Sequence, residues 1–304
     1  MADERIDRRG TRDDAAAPAA TGERRGPAAV RRAIRQELAT DASRAERVAP
    51  SREPAGGESV PIVELEHVSL AFDVPVLEDV SLVACAGETV AIVGESGTGK
   101  STILKLILRL LVPDRGEVRI DGEDITSLTF DEALKVRQKM GMVFQGAALF
   151  DSMTVFENVA YPLREHTDMS EDEIAARVRE KLQFVDLEAD RVMEQMPAEL
   201  SGGMRKRVGV ARGMANNPEI MLYDEPTSGL DPLTTATITK LILKLQRELG
   251  VTSIVVSHDI RSVFRMASKV ALLNEHHVTF FGTPEEMTAS DDRYIQDFLG
   301  GAQG

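Results

Sequence analysis

Eight consecutive residues, Gly94 to Ser101, have the types and the spacing that bind a triphosphate. They read GESGTGKS and fit the phosphate-loop pattern G-x-x-x-x-G-K-[ST] at every fixed position. Glycines let successive backbone N–H groups curve around an anion, and the start of a helix adds partial positive charge. We expect Lys100 to reach the β- and γ-phosphates and the Ser101 hydroxyl to bind Mg²⁺. An ordinary glycine-rich turn is the alternative.

The residues on either side of this loop argue against that alternative. Glu88 to Val93 is a short β-rich run that predicts a buried strand. From Thr102 to Leu111, apolar residues recur at helical spacing. A strand, a glycine-rich turn and a helix start are the context that phosphate binding needs. We therefore predict that the following residues bind nucleotide: Gly94, Glu95, Ser96, Gly97, Thr98, Gly99, Lys100, Ser101 and Thr102.

Two adjacent carboxylates form the second candidate group. Asp224 and Glu225 follow Ile220 to Tyr223, an apolar run that predicts a strand. Asp224 is placed to help hold Mg²⁺. Successive strand residues point in different directions, so Glu225 is placed to take a proton from a water that attacks the γ-phosphate. A helix-capping acidic pair is the alternative, which the phosphate loop earlier in the chain disfavours.

Two further polar side chains come at predicted strand ends. Gln145 closes the run from Met142, and its amide suits Mg²⁺ binding or the orientation of water. His258 follows the strand predicted at Thr252 to Val256 and is placed to donate to the γ-phosphate, although a lone histidine is usually structural. The predicted catalytic residues are Lys100, Gln145, Glu225 and His258, and the predicted metal ligands are Ser101, Gln145 and Asp224.

Composition limits the classes of function. The chain has 304 residues and a net charge of −14, which disfavours nucleic-acid binding through a basic field. Its only cysteine is Cys85, so an intramolecular disulfide is impossible and a reducing compartment fits. The sequence contains no run of about 18 uninterrupted apolar residues, so it predicts no membrane span. Any role at a membrane is therefore expected to come through a partner.

The organisation of the chain changes near residue 58. Residues 1–58 are rich in alanine, arginine and acidic residues and contain neither lysine nor an aromatic residue, which predicts a disordered extension of open role. Beyond it, predicted strands alternate with helices, which indicates an α/β fold with a mainly parallel core sheet. The β signal disappears from Gly146 to Glu199, where we predict a helical insert. Capping boxes start helices at Thr129 and Ser170, and Asp231-Pro232 starts a third.

The segment Leu200 to Met204, LSGGM, opens a predicted helix with a hydroxyl and two glycines, so it is a second candidate anion site. A plain N-cap is the alternative. Together with the phosphate loop, Gln145, Ser228 to Asp231 and His258, in that order, it resembles the nucleotide-binding subunits of ABC transporters. The resemblance covers about Val60 to Gly282. It implies a P-loop NTPase fold of ABC type with an N-terminal antiparallel β subdomain and a helical subdomain.

The resemblance implies domain limits and a dimer. It assigns 59–283 to the nucleotide-binding domain, about 146–215 to its helical part, and 284–304 to a tail for which docking on the partner subunit is an option. Each ATP would lie between the phosphate loop of one copy and Ser201 and Gly203 of the other. Phe72 stands where the family stacks an aromatic ring, usually tyrosine, on adenine. The further nucleotide contacts implied are Phe72, Gln145, Ser201, Gly202, Gly203, Asp224 and Asp231.

A narrower resemblance concerns the substrate. Gly146 to Phe150, Asn158 to Thr167, Met204 in place of the usual glutamine and Gln296 to Gly300 resemble the ATPases of Mla/Mce-type lipid transporters. This implies a permease dimer, an MCE-domain lipid-binding protein, phospholipid substrates and a place on the cytoplasmic face of the inner membrane. The presence of a small STAS-domain subunit is left open. The alternative function is that of the ATPase subunit of an ABC importer or exporter of another substrate. Arg164, Glu165 and His166 either lie near the permease contact or form a solvated helix end.

Overall fold

The computed structural model describes residues 60–301. The extension predicted at 1–58 lies outside the described residues, as do the last three residues of the predicted tail. Within 60–301, no helix is long and apolar enough to cross a bilayer.

Four strands form an antiparallel sheet near the N-terminus of the described chain. Their order is β2-β1-β4-β5, and β1 pairs antiparallel with both of its neighbours. Every second or third residue of β1 is buried, because one face of this sheet covers a core and the other is exposed. The strands are β1 (Pro61–Ala71), β2 (Pro75–Cys85), β4 (Arg115–Ile120) and β5 (Glu123–Asp124).

Six strands form a second sheet, which is parallel except for one edge hairpin. Its order is β10-β9-β3-β8-β7-β6, with β10 antiparallel to β9. Every residue of β3 and β8 is buried, as expected for parallel strands covered on both faces. The strands are β3 (Thr89–Val93), β6 (Met140–Val143), β7 (Ile220–Asp224), β8 (Thr252–Val256), β9 (Lys269–Asn274) and β10 (His277–Gly282).

The central sheet separates two cores. Val90 and Ile92 of β3 face the core shared with the antiparallel sheet, whereas Ala91 and Val93 face a core built with helices. The chain is helical between β6 and β7. The helices are α1 (Lys100–Ile107), α2 (Phe130–Gln138), α3 (Val155–His166), α4 (Glu171–Phe184), α5 (Ala189–Val192), α6 (Gly202–Gly213), α7 (Pro232–Leu249), α8 (Ile260–Met266), α9 (Pro284–Ala289) and α10 (Arg293–Gly301), with a 3₁₀ turn at Pro197–Glu199.

The predicted helix starts are confirmed. Thr129 and Ser170 each form a complete capping box, and Asp231 accepts hydrogen bonds from the second and third residues of α7. Two elements beside the site have other bounds than the sequence pattern indicates. Helical spacing runs from Thr102 to Leu111, whereas α1 spans Lys100–Ile107; and β6 spans Met140–Val143, so Gln145 lies in the following turn instead of at a strand end. Both differences fall at element boundaries, where tertiary contacts outweigh local pattern.

Candidate nucleotide-binding site

The parallel sheet places the predicted polar residues at one edge. The phosphate loop follows β3, Asp224 ends β7 with Glu225 next to it, and His258 follows β8. These three strands are neighbours in the order β3-β8-β7. Because they run parallel, their carboxyl ends lie side by side. Residues more than a hundred positions apart in the chain therefore meet in one place.

The phosphate loop needs its glycines for two reasons. Gly94 and Gly99 have φ values of 152° and 100°, which side chains rarely allow. A Cβ at Gly94 would also lie 2.3 Å from the backbone oxygen of Leu273, and one at Gly99 would lie 2.8 Å from that of Val76. The loop is thus wedged between β9 and the start of β2.

Lys100 is the first residue of α1 and is only 7% exposed. Its Nζ donates to the backbone oxygens of Gly94 at 2.9 Å and Glu95 at 2.6 Å. Burial lowers the pKa of Lys100, and the nearby carboxylates of Glu225 and Asp224 oppose that shift. The backbone oxygens of the loop therefore hold the ammonium group.

Ser101 and Asp224 join α1 to the end of β7. The Ser101 hydroxyl donates to Asp224 Oδ1 at 2.9 Å. Hydroxyl and carboxylate oxygens suit Mg²⁺, which commonly takes one or two protein ligands and completes its shell with water and phosphate. Within the described residues no group of three or more His, Cys, Asp or Glu could hold a metal unaided. The Ser101–Asp224 pair thus fits Mg²⁺ as a ligand set that other groups would complete.

Glu225 and His258 form a pair beside these residues. His258 Nδ1 lies 2.8 Å from Glu225 Oε2, and the two side chains are 63% and 13% exposed. The backbone of Glu225 has φ 49°, and its N–H donates to Val256 O at 2.9 Å. At this left-handed turn after the strand, the Glu225 carboxylate lies beside the imidazole of His258.

Lys206 was not predicted, yet it contacts this site. It lies on α6 with 6% exposure, and its Nζ donates to the backbone oxygens of Gln145 and Glu225. The side chain of Gln145 is near Ser228, with Nε2 3.4 Å from the serine Oγ. One signal could have revealed Lys206. It is four residues before apolar Val210 in the predicted helix, so both lie on the face that is buried, and a buried lysine needs a hydrogen-bond partner.

Four other predicted contacts, Phe72, Ser201, Gly203 and Asp231, form no hydrogen bond with this group in the described residues. Phe72 is 64% exposed in the bend between β1 and β2. Ser201 caps α6 by accepting from Met204 N at 3.2 Å, and Asp231 caps α7. The hydrogen bond from Thr234 to Asp231 lowers the pKa of that carboxyl. Gly203 packs tightly, because a Cβ there would lie 2.5 Å from Thr234 Cγ2.

A groove opens on the surface between β6, α3 and α6. It has a volume of about 300 Å³, and Phe144, Phe150 and Tyr161 line it, each about 40% exposed. The rings of Phe150 and Tyr161 are 5.1 Å apart. Of the three residues considered for a permease contact, His166 lines the groove, whereas Arg164 pairs with Glu171 at 2.6 Å.

Comparison with known proteins gives the family of the chain. Residues 77–228 match the family model described as ABC transporter. The chain is 42% identical over 224 residues to the probable ribonucleotide transport ATP-binding protein mkl of Mycobacterium leprae, which covers 74% of this chain and 64% of that protein. It is 41% identical to the intermembrane phospholipid transport system ATP-binding protein MlaF of Haemophilus influenzae, which covers 79% of this chain and 90% of MlaF.

A solved structure gives the same result. The ATP-binding cassette MJ0796, in a dimeric post-hydrolysis state bound to ADP and Pi, superposes with a TM-score of 0.68 and is 38% identical, over 73% of this chain and 98% of that chain. The predicted α/β fold, with its mostly parallel sheet and antiparallel β subdomain, is confirmed. The chain belongs to the family of ABC transporter ATP-binding proteins.

Proposed function

We propose that this chain binds and hydrolyses ATP as the nucleotide-binding subunit of an ABC transporter. The observation that carries the proposal is the meeting of Lys100, the Ser101–Asp224 pair and the Glu225–His258 pair at one edge of the sheet. A buried cation, a hydroxyl–carboxylate pair and a second carboxylate beside an imidazole are what phosphoryl transfer to water requires.

The residues have separate roles in this mechanism. Backbone N–H groups of the phosphate loop and the Lys100 ammonium bind the β- and γ-phosphates. Ser101 and Asp224 would hold Mg²⁺, which neutralises developing charge on the phosphates when bound, and Gln145 is the third ligand candidate. Glu225 accepts the proton of the attacking water, while His258 donates to the γ-phosphate and keeps the Glu225 carboxylate in place.

A single chain leaves part of this site incomplete. Ser201 is the N-cap of α6 and Gly203 lies in its first turn. The hydrogen bonds of Ser201 in the described residues stay within that turn. The dimeric state of MJ0796 supports an arrangement in which two copies enclose ATP. In that arrangement Ser201, Gly202 and Gly203 of one copy face the nucleotide of the other, and Phe72 stacks on adenine.

We propose phospholipids or related lipids as the substrate of the complete transporter, with a permease dimer and an MCE-domain protein as partners. The likeness to MlaF, which spans 90% of that protein, supports this more than the likeness to mkl, which spans 64%. The chain would then lie at the cytoplasmic face of the membrane, held by the permease. The ribonucleotide named for mkl is the second candidate substrate.

The substrate proposal is tested by purifying the tagged chain with its native partners in mild detergent. Mass spectrometry of the retained proteins and lipids should find a permease, an MCE-domain protein and bound phospholipid. A permease with a bound nucleoside compound and no lipid enrichment over a mock purification would contradict the lipid proposal.

We propose that a cytoplasmic segment of the permease binds in the groove beside Tyr161, as the family resemblance implies. Central aromatic residues dominate such contacts, and their loss commonly costs about 2 kcal/mol or more. Tyr161→Glu should therefore reduce the permease recovered with the tagged chain by roughly tenfold or more. Leu249→Glu, at the exposed end of α7, is the control and should retain the permease. Equal recovery from both variants would exclude the groove.

A further inference from the structure

The helix α6 holds two chain segments through their backbone oxygens. Lys206 donates to the oxygens of Gln145 and Glu225. One and a half turns later, Arg212 donates to the oxygens of Ala147 at 2.8 Å and Ala148 at 2.7 Å. The turn after β6 and the residue after β7 are thus attached to the same helix.

The attached segments have unusual backbone conformations. Glu225, Ala147 and Ala148 have φ values of 49°, 64° and 48°, in the left-handed region that residues with a side chain seldom occupy. Such a conformation persists only where the surroundings hold it in place. At Glu225 the N–H is bound by Val256 O, and Lys206 binds the carbonyl on the other side of the same residue.

Lys206 is the member of this group nearest to the chemistry. Its ammonium group is buried and donates hydrogen bonds to two backbone carbonyl groups. None of the ion pairs found in the described residues involves Lys206. Burial lowers the pKa of Lys206, and the charges of Glu225 and Asp224 oppose the shift. Burial of a cation costs free energy unless hydrogen bonds replace its contacts with water.

We infer that Lys206 is a positioning residue for ATP hydrolysis, because its two hydrogen bonds fix the backbone of Glu225 and of Gln145 relative to α6. This inference rests on the proposed role of Glu225 as the base. Lys206 holds the turn that carries the Glu225 carboxylate. The same helix, α6, has Ser201 as its N-cap and Gly203 in its first turn, so the helix that positions the base is also the one that we place against the partner's nucleotide.

The test compares Lys206→Met with Lys181→Met in the full chain, purified in its native complex. Methionine has a similar length but donates nothing. Lys181 on α4 is also buried, at 2% exposure, and it donates to Asn217 and Glu180, neither of which is hydrogen-bonded to a residue of the site. Small misplacements of a catalytic group can cost about 10²-fold in rate. We expect Lys206→Met to lower kcat by about 10- to 100-fold, with little change in the affinity for a fluorescent ATP analogue.

Two further measurements separate positioning from a loss of fold. Lys206→Arg, which keeps a cation and donors, should restore a large part of kcat, and thermal melting of every variant reports stability. The inference is overturned if Lys206→Met keeps the wild-type kcat. It is also overturned if Lys206→Met and Lys181→Met show the same pattern, in which kcat and nucleotide affinity both fall as the melting temperature falls. The wild-type rate tests the proposed activity, whereas the ratios between variants test Lys206.

Discussion

Glu225→Gln is expected to abolish turnover while leaving ATP binding intact. The amide keeps the shape of the carboxylate beside His258 but cannot accept a proton from water. General-base catalysis contributes about 10²–10⁴-fold, so kcat of the purified complex should fall by at least about 100-fold. Because the γ-phosphate is then retained, the full chain purified without its permease should accumulate as an ATP-bound dimer, which size-exclusion chromatography with light scattering can detect.

The matched control for this experiment is Glu248→Gln. Glu248 is an exposed carboxylate in the last turn of α7, so its replacement removes the same charge at a distance from the site. It should leave both kcat and the oligomeric state as in the wild type. Substantial hydrolysis by Glu225→Gln in the assembled complex would overturn the assignment of Glu225 as the base.

Lys100→Ala has the second largest expected effect, this time on binding. The variant removes the buried ammonium that the loop oxygens of Gly94 and Glu95 hold in place. A hydrogen bond to a charged group contributes about 1.5–3 kcal/mol, so the Kd for ATP should rise by roughly 10- to 100-fold. Titration of the full chain with a fluorescent ATP analogue measures this change.

Lys105→Ala is the matching control on the same helix. Lys105 is one and a half turns further along α1 and exposed, so its loss removes an equal charge without touching the phosphate loop. The affinity of this variant should stay within about twofold of wild type, as expected for a solvated cation. An unchanged Kd in Lys100→Ala would argue against nucleotide binding at this loop.

Local patterns were sufficient for most of the elements that carry the site. The phosphate loop, the apolar runs that became β3, β7 and β8, and the capping boxes at Thr129 and Ser170 are read from neighbouring residues, because hydrogen bonding and side-chain periodicity act over a few positions. The helices α8, α9 and α10 were not predicted. The first two are shorter than eight residues, and their helical pattern is correspondingly weak.

The sequence by itself thus determined which residue types follow which strands, and through them the family. Only the tertiary structure decided which residues meet: parallel pairing of β3, β8 and β7 brings His258 to Glu225, and the packing of α6 brings Lys206 to the carbonyl groups of Gln145 and Glu225. Contacts to backbone oxygens require no particular side chain at the acceptor, so no motif records them. Their cause is the distance between elements, which packing of the whole chain sets.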